Sequence, residues 1–121
     1  RQSAPEECFE IVVVENGDEC GALRAIVDNF LSEPVAIRLV REPILGLSYA
    51  RNRALAESRG DYLLFIDDDA LAGPRLIERY LSNITEHKPD VIGGNVHPIF
   101  AHWPAPEIED AVGTVPVERV E

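Results

Sequence analysis

Five consecutive apolar residues, Tyr62 to Ile66, run directly into Asp67, Asp68 and Asp69 in the stretch GDYLLFIDDDA, and no other feature restricts the fold of this chain as much. The apolar run is too short for a buried helix and rich in aromatic and branched side chains, so it predicts a strand covered on both faces. Like charges on adjacent residues are costly unless a cation, a basic group or solvent accepts them. Strand pleating sends Asp67 and Asp69 to one side and Asp68 to the other. Open α/β sheets bind ligands at the C-terminal ends of their strands, and two carboxylates there make a seat for a hard divalent metal. A plainer alternative is the solvated cap of the next helix, with Pro74 as its first-turn proline. Capping uses one carboxylate and leaves the others unexplained.

The remaining pattern alternates. Residues Arg1 to Glu7 form an irregular lead-in, and Ile11 to Val14 make a second apolar run ended by the polar turn Glu15, Asn16, Gly17 and Asp18. Leu23, Ile26, Val27, Phe30 and Leu31 recur at helical spacing, predicting a helix over Ala22 to Leu31 that Pro34 stops. Val35 to Val40, interrupted by Arg38, predicts a third strand nearer a sheet edge. A loop with Pro43 and Gly46 follows, then a helix over Ser48 to Ser58 with Leu47, Ala50, Ala54 and Leu55 as its apolar face. Arg51 and Arg53 sit near the beginning of that helix, against the usual dipole preference, so an acidic neighbour is expected or else two solvated arginines. Leu76, Ile77, Tyr80, Leu81 and Ile84 predict a helix over Pro74 to Glu86, and Val91 to Val96 a strand whose Gly93 and Gly94 mark a bulge or a close approach to ligand. Beyond Pro98 the only periodic hint is a short helical turn around Glu107 to Val112. This order of elements is that of an α/β protein with a mostly parallel sheet flanked by helices.

Composition narrows the function. With 121 residues and 45% hydrophobic content, the chain suits one soluble domain with a core. Eleven Lys and Arg against 22 Asp and Glu give a formal charge of −11, which argues against a nucleic acid polymer as partner and against anionic lipid. No apolar run approaches the roughly 18 residues of a membrane span. Cys8 and Cys20 lack zinc-site spacing, so both are expected to be buried or incidental thiols, consistent with a reducing, cytoplasmic setting. His87, His97 and His102 are scattered, and no nucleophile motif accompanies them. The acids carry the chemistry.

Taken in order, the blocks VVVENGD, GLSYARNRAL, GDYLLFIDDDA and VIGGNVHPIF resemble the large family of inverting nucleotide-sugar glycosyltransferases with the GT-A fold. The likeness runs from Phe9 to Phe100, a nucleotide-sugar-binding core, with residues 101–121 as an irregular tail at the start of an acceptor region. The resemblance implies that Asp67 and Asp69 hold Mg²⁺ or Mn²⁺, with Asp68 in the variable middle of a D-x-D element. It further implies a nucleotide-sugar site comprising Glu15, Asn16, Arg51, Asp67 and Asp68. The partners implied are a nucleotide-diphosphate sugar donor and an acceptor of unknown identity, with membrane attachment of the full-length protein left open. Glu15 departs from the aspartate more common there, which leaves the donor base unassigned.

Two further departures concern extent. Such enzymes begin with an apolar strand that nothing before Phe9 supplies, and they draw the general base from further along, so Glu107, Glu109 and Asp110 receive no role. The expectation is a truncated, central portion of a longer transferase. By resemblance the missing strand lies between Ile11 to Val14 and Tyr62 to Ile66, which predicts self-association or a rearranged sheet. A competing class is the phosphoacceptor receiver domain, since FIDDDALAGPRLIERYL resembles its acidic first strand and helix; however, Asn95 stands where its phosphorylated aspartate would fall. A third is a non-catalytic nucleotide-binding module.

Overall fold

The computed structural model describes residues 1–97 and the backbone of Ile99–Phe100 and Glu118–Arg119. The chain divides into two units, Arg1–Glu86 and His87–Glu121. The first unit is built on β1 (Glu10–Asn16), where a β-branched run suits a pleated, half-buried surface. It pairs in parallel with β2 (Ala36–Glu42), in register from Glu10 opposite Ala36 to Asn16 opposite Glu42. A parallel pair requires a crossover, and α1 (Gly21–Asp28) provides it. The helix stops earlier than its apolar spacing suggested, because the chain tightens into turns in which Phe30 N–H donates to Val27 C=O and Leu31 N–H to Asp28 C=O.

Helix α2 (Leu47–Glu57) packs across both strands and α3 (Leu76–His87) closes the unit. All three expected helices are present with shifted ends, and the parallel pairing confirms the α/β class. On α3 the half-buried residues are Leu76, Ile77, Tyr80, Leu81 and Ile84, the stripe expected from spacing. The lead-in docks on the start of this helix: Gln2 Nε2 donates to Gly73 C=O at 2.9 Å, and its Oε1 accepts from Ile77 N–H at 3.1 Å. Ser3 N–H donates to Pro74 C=O at 2.7 Å. Ala4 is buried as a result.

Several expectations are corrected. Tyr62 to Ile66 forms no strand among the described residues, and its side chains are 37–49% exposed rather than covered on both faces. Val91 to Val96 likewise forms no strand, and both of these valines are exposed. Apolar composition creates a demand for burial, but a strand exists only where a neighbour completes its ladder. The core is correspondingly thin: Ala4 and Val27, each 5% exposed, are the buried apolar residues among those described. On α2 the inner face is Ala50, Arg53, Ala54 and Glu57, whereas Leu47 and Leu55 face solvent. Cys8 and Cys20 are both exposed, free thiols.

In the second unit β3 (Ile99–Phe100) pairs in parallel with β4 (Glu118–Arg119). The helical turn expected around Glu107 to Val112 lies outside the described residues. Among the described residues no helix is long and apolar enough to cross a membrane.

Candidate functional site

Arg38 shows why α2 turns a polar face to the sheet. Its Nε donates to Glu10 Oε2 at 3.1 Å, its Nη1 to Glu57 Oε2 at 3.0 Å, and its Nη2 to the Glu57 carbonyl at the C-terminal end of α2. A cation at that end also complements the helix dipole. The guanidinium thus joins β1, β2 and α2, and Glu10 Oε1 in turn accepts from Arg59 N–H at 2.8 Å. The Glu10 carboxyl is held below the usual carboxylate range, chiefly by the Arg38 hydrogen bond, which outweighs the opposing effect of burial; the Arg59 N–H acts in the same direction as Arg38. Arg38 is raised in turn, chiefly by its hydrogen bond to Glu10. Interruption of an apolar strand by one arginine was the sequence signal for this hub, which spacing alone attributed to a sheet edge.

Leaving α2, the chain reaches the aspartates. Asp68 and Asp69 lie in a turn that Ala70 N–H closes by donating to Asp67 C=O at 3.1 Å, so strand pleating does not set the directions of these carboxylates. All three acids are exposed, and among the described residues none of their carboxylates has a hydrogen-bond or ion-pair partner. No three histidine, cysteine or acidic side chains among the described residues form a protein-only metal cage. Mg²⁺ takes one or two protein carboxylates and completes its octahedron with water and phosphate oxygens, so these uncommitted hard donors fit it.

Arg51 projects from α2 with its guanidinium carbon 5.8 Å from the centroid of Phe65, within cation–π range. This ties α2 to the segment two residues before Asp67. The acidic neighbour expected near the arginines belongs to Arg53, whose Nη2 lies 3.0 Å from Glu57 Oε1 one turn along.

Glu15 and Asn16 stand at the C-terminal end of β1, both committed to backbone partners. Glu15 is 7% exposed, and its Oε1 accepts the N–H of Cys20, the residue preceding α1, at 2.6 Å. Asn16 Nδ2 donates to Glu42 C=O at 3.1 Å and Ile44 C=O at 2.7 Å, while its Oδ1 accepts from Gly46 N–H at 2.7 Å. The structure thus brings Arg51 to the aspartate segment, and engages Glu15 and Asn16 in loop and helix-start contacts that spacing could not reveal. Glu15→Ala should lose a buried acceptor at the start of α1 and destabilise the full-length protein by about 1 kcal/mol, whereas Glu15→Gln keeps an acceptor and loses less. Urea titration of the two variants checks this.

The chain matches the model of the family described as Glycosyl transferase family 2 over residues 1–110. It is 36% identical over 81 residues to an uncharacterized glycosyltransferase, YfnE, of Bacillus subtilis, covering 66% of this chain and 20% of that protein. It is 33% identical over 103 residues to the succinoglycan biosynthesis protein ExoM of Rhizobium meliloti, covering 84% and 32%. A glucosyl-dolichyl phosphate glucuronosyltransferase of Haloferax volcanii is 33% identical over 94 residues, covering 76% and 29%. The chain therefore spans about a fifth to a third of the length of these curated relatives. No solved structure matches it significantly. With the ordered blocks and the parallel α/β pairing already in place, a family match over most of its length means that the chain belongs to glycosyl transferase family 2.

Proposed function

We propose that the protein containing this chain transfers a sugar from a nucleoside-diphosphate sugar to an acceptor hydroxyl with inversion, and that this chain holds the donor. The observation that carries the reading is the run Asp67 to Asp69, three exposed carboxylates without partners among the described residues, on a segment that Arg51 meets through Phe65. Asp67 and Asp69 would hold Mg²⁺ or Mn²⁺, with Asp68 beside them toward the nucleotide sugar. When bound, the cation neutralises charge that develops on the diphosphate as the sugar–phosphate bond breaks.

The chain's own groups bind and orient. Arg51 presents an exposed guanidinium whose fork suits phosphate oxygens, with its carbon 5.8 Å from the Phe65 ring centroid. Inversion also needs a carboxylate base on the face opposite the leaving group, to take the proton from the acceptor hydroxyl as the new bond forms. No described residue is assigned that role. The names of the relatives from Rhizobium meliloti and Haloferax volcanii support a saccharide or lipid-linked saccharide as acceptor class.

The test is a panel of sugar nucleotides offered to the full-length protein with Mn²⁺ and saccharide acceptors. Metal-dependent release of a nucleoside diphosphate with a product of inverted anomeric configuration is expected. Turnover that persists in chelator would remove the cation's role, and retained configuration would remove the inverting mechanism.

A further inference from the structure

Asn16 makes three hydrogen bonds from one carboxamide, one to the last residue of β2 and two to the backbone of the loop that leads on to α2. A fourth bond, from Gly17 N–H to Glu42 C=O at 2.9 Å, adds to the attachment. The loop ends at Gly46, whose φ of 142° and ψ of 138° lie in a region that side-chain-bearing residues rarely adopt. A Cβ there would stand 3.3 Å from Tyr49 Cδ2. The Gly46 carbonyl then accepts from Tyr49 N–H at 3.0 Å and Ala50 N–H at 3.1 Å, which starts α2. Arg51 is the next residue, and it rests on Phe65, two residues before Asp67.

From this chain of contacts we infer that Asn16 is a positioning residue for the donor site: its carboxamide sets where α2 begins, and so where Arg51 meets Phe65, two residues before Asp67. The inference rests on the donor-binding reading above. It gives Asn16 a different task from contact with the nucleobase, because both of its amide hydrogens and one carbonyl lone pair are already engaged. Asn16→Asp is nearly isosteric but turns an oxygen toward the carbonyls of Glu42 and Ile44, replacing donation by repulsion. Gly46→Ala disturbs the same loop from its other end without altering β1.

The experiment measures affinity of the full-length protein for UDP, GDP and TDP with Mn²⁺ by calorimetry, in wild type, Asn16→Asp and Gly46→Ala, below the melting temperature of each. Both variants are expected to bind whichever nucleotides wild type binds about tenfold more weakly. If Asn16→Asp fails to fold, Gly46→Ala supplies the result. Unchanged affinity in the folded variants overturns the inference. So does a loss that depends on the base in Asn16→Asp and is absent from Gly46→Ala, since that pattern marks a direct base contact. Wild type that binds none of the three nucleotides removes the donor-binding reading itself, and the inference with it. That outcome is distinct from wild type and both variants binding equally.

Discussion

Asp69→Ala in the full-length protein is expected to weaken Mn²⁺-dependent binding of a nucleoside diphosphate by at least about a hundredfold, since it deletes a charged oxygen donor outright. Asp67→Ala should act alike. Asp68→Ala should cost less, because the D-x-D resemblance puts that residue in the variable middle position. None of the three carboxylates has a partner among the described residues, so their removal breaks no hydrogen bond or ion pair there. Thermal midpoints without metal should therefore stay close to wild type, and they should rise slightly if repulsion between neighbouring acids is relieved. Calorimetry with and without chelator separates the effects. Equal nucleotide affinity in wild type and Asp69→Ala would exclude the aspartate run as the cation's seat.

The second large effect is on stability. Arg38→Met keeps an apolar stem of similar length but withdraws the donors that Arg38 gives to Glu10, the Glu57 carboxylate and the Glu57 carbonyl, leaving Glu10 only the Arg59 N–H and Glu57 only Arg53 among the described residues. Glu10 and Glu57 then lose the cation that they share, a worse state than the loss of one attraction. A fall of several degrees in the melting temperature of the full-length protein is expected at neutral pH. The pH dependence follows from Glu10. Its pKa in the folded protein is depressed, so its contribution is fully present above the ordinary carboxylate pKa and is lost as pH falls through the lower folded value. The gap in melting temperature between wild type and Arg38→Met should thus be widest near neutrality and close on acidification. A gap independent of pH would show that the loss does not run through the ionised Glu10 carboxylate.

Much of the fold was legible because helices are local. The stripe Leu76, Ile77, Tyr80, Leu81 and Ile84 is half-buried as its spacing requires, since a helix satisfies its backbone within a few residues. The run Ile11 to Val14 was legible as a strand for a different reason: its composition called for a partner, and β2 is there to complete the ladder. Tyr62 to Ile66 has the same kind of composition and no ladder among the described residues, so the same inference failed there. The expectation of an unfilled place in the sheet drew on that segment and on β1, and sedimentation of the purified chain would measure the self-association it predicts.

The candidate site divides along the same line. Order along the chain was enough to determine the acid run, the arginine-bearing helix start and the family to which they belong, because those are properties of residue type and spacing. The partners of Glu15, Asn16, Arg38 and Arg51 came only with folding. Asn16 reaches the end of β2, 26 residues away, and Arg38 joins Glu10 to Glu57 across separations of 28 and 19 residues. No local periodicity encodes such contacts. They depend on which strands pair and in which register, and a shift of one residue in β2 would turn Arg38 to the opposite face of the sheet.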